Sequence, residues 1–328
     1  MQKIRVGVVR GGISNEYDVS LKTGGQVLAV LREKLSDKYI PNDILIARDG
    51  TWHINGVPTN IHNLLGSVDV IFNALHGEYG EDGRIQSELE HAGIPYTGSG
   101  PHASEKAMNK SLTKEALKNS TIRTPKHIEI HWGSTTDDDQ TLAHLAHKMA
   151  PAPWIIKPIS GGSSIGIRLT KSFPDLVSAI AQARDAHVDV LIEEFIVGRE
   201  ATVGIVEGLR DTEYYHLLPI EIKKPKNGIW NYENKYDNSV EEVCPGNFSK
   251  EEKEQLLQAT ETIHRILGLR HYSRADFIIT PRSIVMLEVN TLPGLTENSL
   301  FPKALTATGV SQSEFIDHLL SLAYLEKN

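Results

Sequence analysis

The sequence predicts an α/β fold, on three observations. In the N-terminal third, short β-branched runs alternate with helix-period segments, the pattern of strand–helix units and a mostly parallel sheet. Glycine and proline punctuate the ends of those runs. The composition, 40% hydrophobic and 23% charged over 328 residues, is ordinary for a soluble chain, with core enough for two or three domains.

Residues 4–9 read as a strand, Gly11-Gly12 as a turn and roughly 15–35 as a helix, with Asn15 and Asp18 placed like a capping box. "VDVIFNALHG" (68–77) is a buried strand ending in a glycine loop, and "GRIQSELEHAG" a short helix with a glycine stop. Ligands of such sheets bind beyond the carboxyl ends of the strands, which here carry Arg10-Gly11-Gly12 and His76-Gly77. A helix over 105–119 leads to strands "KHIEIHW" and "WIIKP", with an Asp-rich turn and a helix near 139–149 between them. His144 and His147 on that helix belong to a solvated face. A helix over 174–186 precedes the strands "DVLIEEFI" and "REATVGIVEG". Residues 219–248 are polar and lack clear periodicity, which points to a functional lid. A helix over 249–267, a hairpin and a helix from about 311 complete the chain, with no internal repeat.

The formal net charge is −8 and the isoelectric point about 6.0, so no basic excess supports nucleic-acid binding. No run of 18 apolar residues is present, so no membrane insertion is expected. The start "MQKIRVGVVRGG" reads directly as strand and turn, without the apolar stretch of a leader. Cys244 is the only cysteine, which excludes an internal disulfide and fits a cytoplasmic location. Its Pro-Gly turn makes it a structural thiol rather than a nucleophile.

The hairpin "RADFIITPRSIVMLEVNT" (274–291) carries the first chemistry. If it folds about Arg282, Asp276 lies opposite Glu288, and Arg274, Asp276, Glu288 and Asn290 share one face. Opposed residues stand ~5 Å apart at Cβ. Two anions there repel by ~3 kcal/mol at an effective dielectric of 20. An ion pair with Arg274 is the plain way to relieve that repulsion. With Asn290 added, the face becomes a hard-oxygen site suited to Mg²⁺ shared with phosphates.

A phosphate cradle stands elsewhere. "WIIKPISGGSSIGI" puts Lys157 at a strand end before Gly161, Gly162, Ser163, Ser164 and Gly166, so backbone N–H groups, hydroxyls and an ammonium meet an anion. It is not a Walker A loop, because the lysine precedes the glycines. In "LIEEFIVGRE", Glu193 and Glu200 flank a glycine turn; alone they read as solvated acids. In "EVNTLPGLTENSLFPKAL", a turn at Pro293-Gly294 precedes a helix start where Ser299 can meet a carboxylate or serve as N-cap.

Taken together, these stretches resemble the D-alanine–D-alanine ligases of the ATP-grasp superfamily. The matching pieces are "GGISNEYDVS", "HGEYGEDGRIQSELE", "PYTGSG", "KPISGGSSIGI", "LIEEFIVGRE", "NYENKY", "RADFII" and "EVNTLPGLTENSLFPK", in family order over nearly the whole chain. The resemblance implies an α/β (α+β) ATP-grasp fold of three domains. These are an N-terminal parallel-sheet α/β domain (1–100), a central ATP-grasp domain (101–192) and a C-terminal catalytic domain (193–328) with the lid at 219–248. ATP would lie between the last two. Two Mg²⁺ (or Mn²⁺) are implied, one on Asp276 and Glu288, the other on Glu288 and Asn290.

By the same resemblance, Lys110, Lys157 and Ser164 contact phosphates, Glu193 the adenine and Glu200 the ribose. Glu16 binds the ammonium of the first D-alanine, with His76 nearby, and Ser299 and Leu300 hold the carboxylate of the second. Ser163 and Tyr236 join Glu16 in a hydrogen-bonded triad under the lid, with Lys235. Arg274 and the Gly294 N–H stabilise the oxyanion. The implied activity is ATP-dependent formation of D-alanyl-D-alanine through an acyl phosphate, for peptidoglycan synthesis, by a homodimer. Four positions depart from the family. Asn109 replaces Asp and caps equally well, and Tyr17-Asp18 is a minor change. Arg10 replaces an apolar residue and either alters substrate preference or salt-bridges outward. Tyr236 points to a peptide rather than an ester product. The alternatives are a related ligase taking D-serine or D-lactate second, and an inactive nucleotide-binding homologue. A dinucleotide-binding reading of Gly98-Ser99-Gly100 fails, because the full glycine pattern is missing.

Overall fold

A computed structural model describes residues 3–162, 166–223 and 241–325. Ser163, Ser164, Lys235 and Tyr236 lie outside the described residues. The first sheet runs β4-β3-β2-β1-β5, from β1 (Ile4–Gly11), β2 (Tyr39–Ile46), β3 (Trp52–Ile54), β4 (Val57–Thr59) and β5 (Val70–Asn73). β1 pairs in parallel with β2 and β5, and β3 and β4 add an antiparallel edge. "VDVIFNALHG" thus gives a strand of four residues; from Ala74 the chain already forms the loop.

Helix α1 (Tyr17–Glu33) covers this sheet, but the expected Asn15/Asp18 capping box is absent. Glu16 occupies the N-cap position without a side-chain cap. The turn is held instead by Ser14, whose Oγ accepts the Glu16 N–H at 3.1 Å and donates to the His76 carbonyl at 2.6 Å. That bond ties the two strand ends together before the helix starts.

After α2 (Arg84–His91), the helix expected over 105–119 appears as two, α3 (Pro101–Met108) and α4 (Lys110–Leu117). Asn109 breaks them. Its backbone is extended (φ −95°, ψ 109°), it bridges Ser160, and its side chain caps α4 by accepting from Ser111 N and Leu112 N. An asparagine that satisfies two orphan N–H groups makes a new helix start cheaper than continuing the old helix.

The second sheet is antiparallel, in the order β6-β9-β7-β8. It contains β6 (His127–Ile130), β7 (Trp154–Pro158), β8 (Arg168–Thr170) and β9 (Val190–Glu194), with α5 (Asp139–Met149) and α6 (Phe173–Asp185) packed on it. The expected boundary at residue 192 falls inside β9. The third sheet has the path β13-β12-β10-β14-β15 with β11 beside β10, all antiparallel. Its strands are β10 (Arg199–Glu207), β11 (Tyr214–His216), β12 (Ile220–Lys223), β13 (Glu241–Val243), β14 (Tyr272–Ile279) and β15 (Ile284–Asn290), and α7 (Lys250–Leu267) covers it. The segment read as irregular over 219–248 therefore rests on a paired base, Glu221 opposite Val243.

Asp276 does lie opposite Glu288, and Arg274 opposite Asn290. The register then shifts between Asp276 and Phe277, so that Phe277 faces Met286 and Leu287 is the extra residue of a bulge. The expected pairing thus holds at the charged end and slips by one at the tip. Finally α8 (Leu300–Ala307) and α9 (Gln312–Leu325) return to the first sheet. Phe301, Phe315 and Leu319 share a core with Val6, Val8 and Phe72, and Tyr39 hydrogen-bonds Asp317.

Candidate functional site

Beyond the carboxyl ends of β1 and β5, Glu16 and His76 line a cavity of about 910 Å³. Gly77 has a positive φ of 72°, and a Cβ there would stand 3.2 Å from Glu16 Oε1. A Cβ on Gly162, from the glycine loop of the second sheet, would stand 3.1 Å from the same oxygen. Two bare backbones therefore close on the Glu16 carboxylate. The buried His76 ring bonds Thr23 Oγ1 at 2.8 Å, and burial pulls its pKa below the usual histidine range while the Glu16 charge partly opposes the shift.

Glu81 lies in a stretch the sequence reading quoted but gave no role. Its carboxylate accepts the Gly77 N–H at 2.7 Å and the Leu292 N–H at 3.1 Å, linking the first sheet to the loop after β15. Enclosure by protein, and then the charge of Glu16, push its pKa up to about 8.

On the hairpin, Arg274 grips Asp276 with both branches, Nε to Oδ1 at 3.0 Å and Nη2 to Oδ2 at 2.9 Å. Thr202 Oγ1 donates to Asp276 Oδ1, and Asn290 Nδ2 reaches Oδ2 at 3.4 Å. This ion pair offsets part of the repulsion expected between Asp276 and Glu288. The two carboxylates raise the Arg274 pKa against the opposing effect of its burial. Glu288 lines the cavity with no hydrogen-bond or ion-pair partner among the described residues. Among those residues no three His, Cys, Asp or Glu side chains are grouped to hold a metal. The donor set is two carboxylates and an amide, which suits a hard cation completing its shell with phosphate or water.

Beside the glycine loop the charges are sealed in. Lys110, the first residue of α4, donates from Nζ to the Gly161 carbonyl at 2.7 Å. Gly161 has φ +119°, a conformation only glycine adopts readily. Glu193 is not a solvated acid; it is 3% exposed, 2.8 Å from Lys157 Nζ and 3.0 Å from Lys114 Nζ. Those two ammoniums overcome burial and hold its pKa below the usual carboxylate range. Lys114 is a second residue that sequence reasoning missed. Its i, i+4 spacing from Lys110 on one helix face was the available signal.

Glu16, His76, Lys110, Arg274, Glu288, Asn290, Gly294, Ser299 and Leu300 all line one cavity. Asp276 adjoins it through Arg274, whereas Lys157, Glu193 and Glu200 do not line it. Ser299 holds the N-cap position of α8 without a capping bond; its hydroxyl bonds Thr296 Oγ1 at 2.7 Å. A Cβ on Gly294 would meet Ser299 Oγ at 3.0 Å, so a glycine permits this close turn.

The chain matches the family models described as D-ala D-ala ligase C-terminus, over residues 116–321, and D-ala D-ala ligase N-terminus, over residues 55–99. The D-alanine–D-alanine ligase of Geotalea uraniireducens is 36% identical over 98% of this chain and 96% of its own length. The chain belongs to the D-alanine–D-alanine ligase family. Another such ligase, from Geobacter sulfurreducens, is likewise 36% identical, over 99% of this chain and 96% of its own length. Among solved structures, D-alanyl-alanine synthetase A of Vibrio cholerae superposes with a TM-score of 0.85 at 26% identity, over 99% of each chain. The VanG D-Ala:D-Ser ligase of Enterococcus faecalis superposes at 0.84 with 28% identity, over 98% of this chain and 100% of its own. The D-alanine–D-alanine ligase of Bacillus anthracis complexed with ATP gives 0.79 and 29%, over 98% of each chain. The fold is therefore the ATP-grasp fold of this family.

One of this member's departures now has a place. Arg10 pairs with Asp43, Nε to Oδ1 at 2.7 Å and Nη2 to Oδ2 at 2.6 Å, and its stem lies on Gly24 of α1. Its charge is turned to β2 and does not line the ligase cavity. Cys244 is half-buried against the Lys303 carbonyl, and burial raises its pKa, as for a structural thiol. No helix among the described residues is long and apolar enough to cross a membrane.

Proposed function

We propose that the chain joins two D-alanines into D-alanyl-D-alanine with ATP, through an acyl phosphate, in peptidoglycan precursor synthesis. One observation carries this reading. A single cavity gathers an acid for an ammonium (Glu16), a guanidinium (Arg274), free oxygen donors (Glu288, Asn290) and a helix N-terminus for a carboxylate (Ser299, Leu300).

Glu16 pairs with the ammonium of the first D-alanine, beside His76, and orients its carboxylate toward the γ-phosphate. Lys110 and Lys157 neutralise the phosphates and Ser164 donates a hydrogen bond to them, with Glu193 on the adenine side and Glu200 on the ribose; catalysis of that transfer is positioning and charge balance. Ser299 and Leu300 at the start of α8 hold the second D-alanine by its carboxylate. Its amine attacks the acyl carbon, phosphate leaves, and Arg274 with the Gly294 N–H holds the oxyanion. Ser163 and Tyr236 connect to Glu16, and the 219–248 segment with Lys235 excludes water from the acyl phosphate. Asp276, Glu288 and Asn290 fit two Mg²⁺ (or Mn²⁺), which when bound would offset the charge of the phosphates. The three-part division, a homodimer and a cytoplasmic location belong to the same reading.

The test is a product assay with ATP, Mg²⁺ and D-alanine, the dipeptide being detected by mass and phosphate release counted. No dipeptide from the folded chain would overturn the proposal. The likeness to the D-Ala:D-Ser ligase favours one second reading, so D-serine and D-lactate are tried as second substrates. A mixed product formed faster than D-alanyl-D-alanine would replace the first reading.

A further inference from the structure

Glu193 has two counter-ions where one would suffice. Lys157 Nζ stands 2.8 Å from Oε2 and Lys114 Nζ 3.0 Å from Oε1, and all three side chains are 6% exposed or less. The two lysines are not equivalent. Lys114 also donates to the Pro125 carbonyl at 3.1 Å, and its helix is fixed by the Asn109 cap and by Lys110 N–H to the Ile159 carbonyl at 2.9 Å. Lys157 has Glu193 as its sole ion-pair or hydrogen-bonding side-chain partner among the described residues. One lysine is doubly anchored; the other is held by a single acceptor.

This asymmetry matters if Lys157 is to serve a phosphate. A buried carboxylate stripped of its only cation is strongly disfavoured, so a lone Lys157 would stay with Glu193. We propose that Lys114 is a positioning residue of the nucleotide site, the standing counter-ion of Glu193 that frees Lys157 to turn its charge to a phosphate. The inference rests on the reading of Lys157 as a phosphate ligand. Lys114 touches no substrate in this scheme and does not line the cavity. Burial, and after it the charge of Lys157, lower its pKa, and Glu193 is the main group opposing that shift.

The experiment measures, by calorimetry on the full chain, binding of Mg·ADP and of inorganic tripolyphosphate, which has no base. The chains are the unchanged protein, Lys114→Arg, Lys114→Met and the double variant Lys114→Met/Glu193→Gln. Lys114→Met is expected to weaken both ligands by about tenfold or more, the size of one lost charged hydrogen bond. Lys114→Arg should stay within about threefold of the unchanged chain. The double variant removes the anion that competes for Lys157, so tripolyphosphate binding should recover while the preference for ADP over tripolyphosphate does not. A merely structural Lys114 would lower Tm without that selective recovery. Tripolyphosphate bound equally by Lys114→Met and the unchanged chain overturns the proposal, as does a double variant no tighter than Lys114→Met. Should Lys114→Met not fold, the double variant decides against the unchanged chain: tripolyphosphate bound within about threefold supports the proposal, and binding weaker than that overturns it. An unchanged chain that binds no ADP brings down the nucleotide reading and this inference together.

Discussion

Asp276 and Glu193 are both strand carboxylates beside the nucleotide region, yet their counter-ions differ in kind. Asp276 is 19% exposed and pairs with a guanidinium that itself lines the cavity. Glu193 is 3% exposed and sits between two buried ammoniums that do not. The first pair is open to exchange, since a ligand entering the cavity meets Arg274 directly. The second is part of the interior, and its charges were desolvated when the chain folded. The comparison teaches that charge at this site is layered, with exchangeable groups at the wall and beneath it a fixed Lys114–Glu193 pair, from which Lys157 is the one charge that can turn outward.

The comparison breaks most visibly at Glu193. Glu193→Gln leaves two buried ammoniums without an anion and should cost ~3–5 kcal/mol of stability, read from the urea midpoint. A loss below ~1 kcal/mol would place Glu193 with the exchangeable groups. At the wall, Arg274→Ala should cost less stability than that and reduce kcat about 10²–10³-fold, with ADP affinity nearly unchanged. An unchanged kcat removes Arg274 from the oxyanion.

Glu81 gives a graded, pH-dependent effect. Its pKa is raised in the folded chain to about 8 from an ordinary 4.5, so the native state binds the extra proton between those values. Stability conferred by that proton is full below pH 4.5 and declines as pH rises toward 8, by at most ~1.4 kcal/mol per pH unit. Urea titrations of the unchanged chain and Glu81→Gln across pH 5–8 should show that slope only in the former; equal slopes refute it. Smallest is the α4 cap: Asn109→Ala should cost ~1 kcal/mol and Asn109→Asp almost nothing, by thermal unfolding. Equal losses would mean the cap does not fix the buried lysines' helix.

Local pattern carried much of this fold, and its failures have a common cause. The opposition of Asp276 and Glu288 followed from period-two alternation and a turn at TPRS. The bulge at Leu287 did not, because it alters no hydrophobic pattern. The break at Asn109 was hidden because its strand-like bridge partner, Ser160, lies fifty-one residues on. Glu16, His76, Lys110 and the hairpin acids were legible by type and spacing or by family likeness. Glu81 was not, and Lys114 was legible only as an i, i+4 neighbour of Lys110, without its role. Their partners, Leu292 and Glu193, come from distant segments, and nothing near either residue announces them.

The return of α8 and α9 to the first sheet bears on how the chain is made. Val6, Val8 and Phe72 lie in a core completed by Phe301, Phe315 and Leu319. On the ribosome, the first sheet is finished long before those residues emerge. At 5–20 residues per second the gap lasts roughly 10–50 s. During that interval the nascent sheet offers an oily face to the cytosol, a natural target for chaperones that shield unfinished polypeptides.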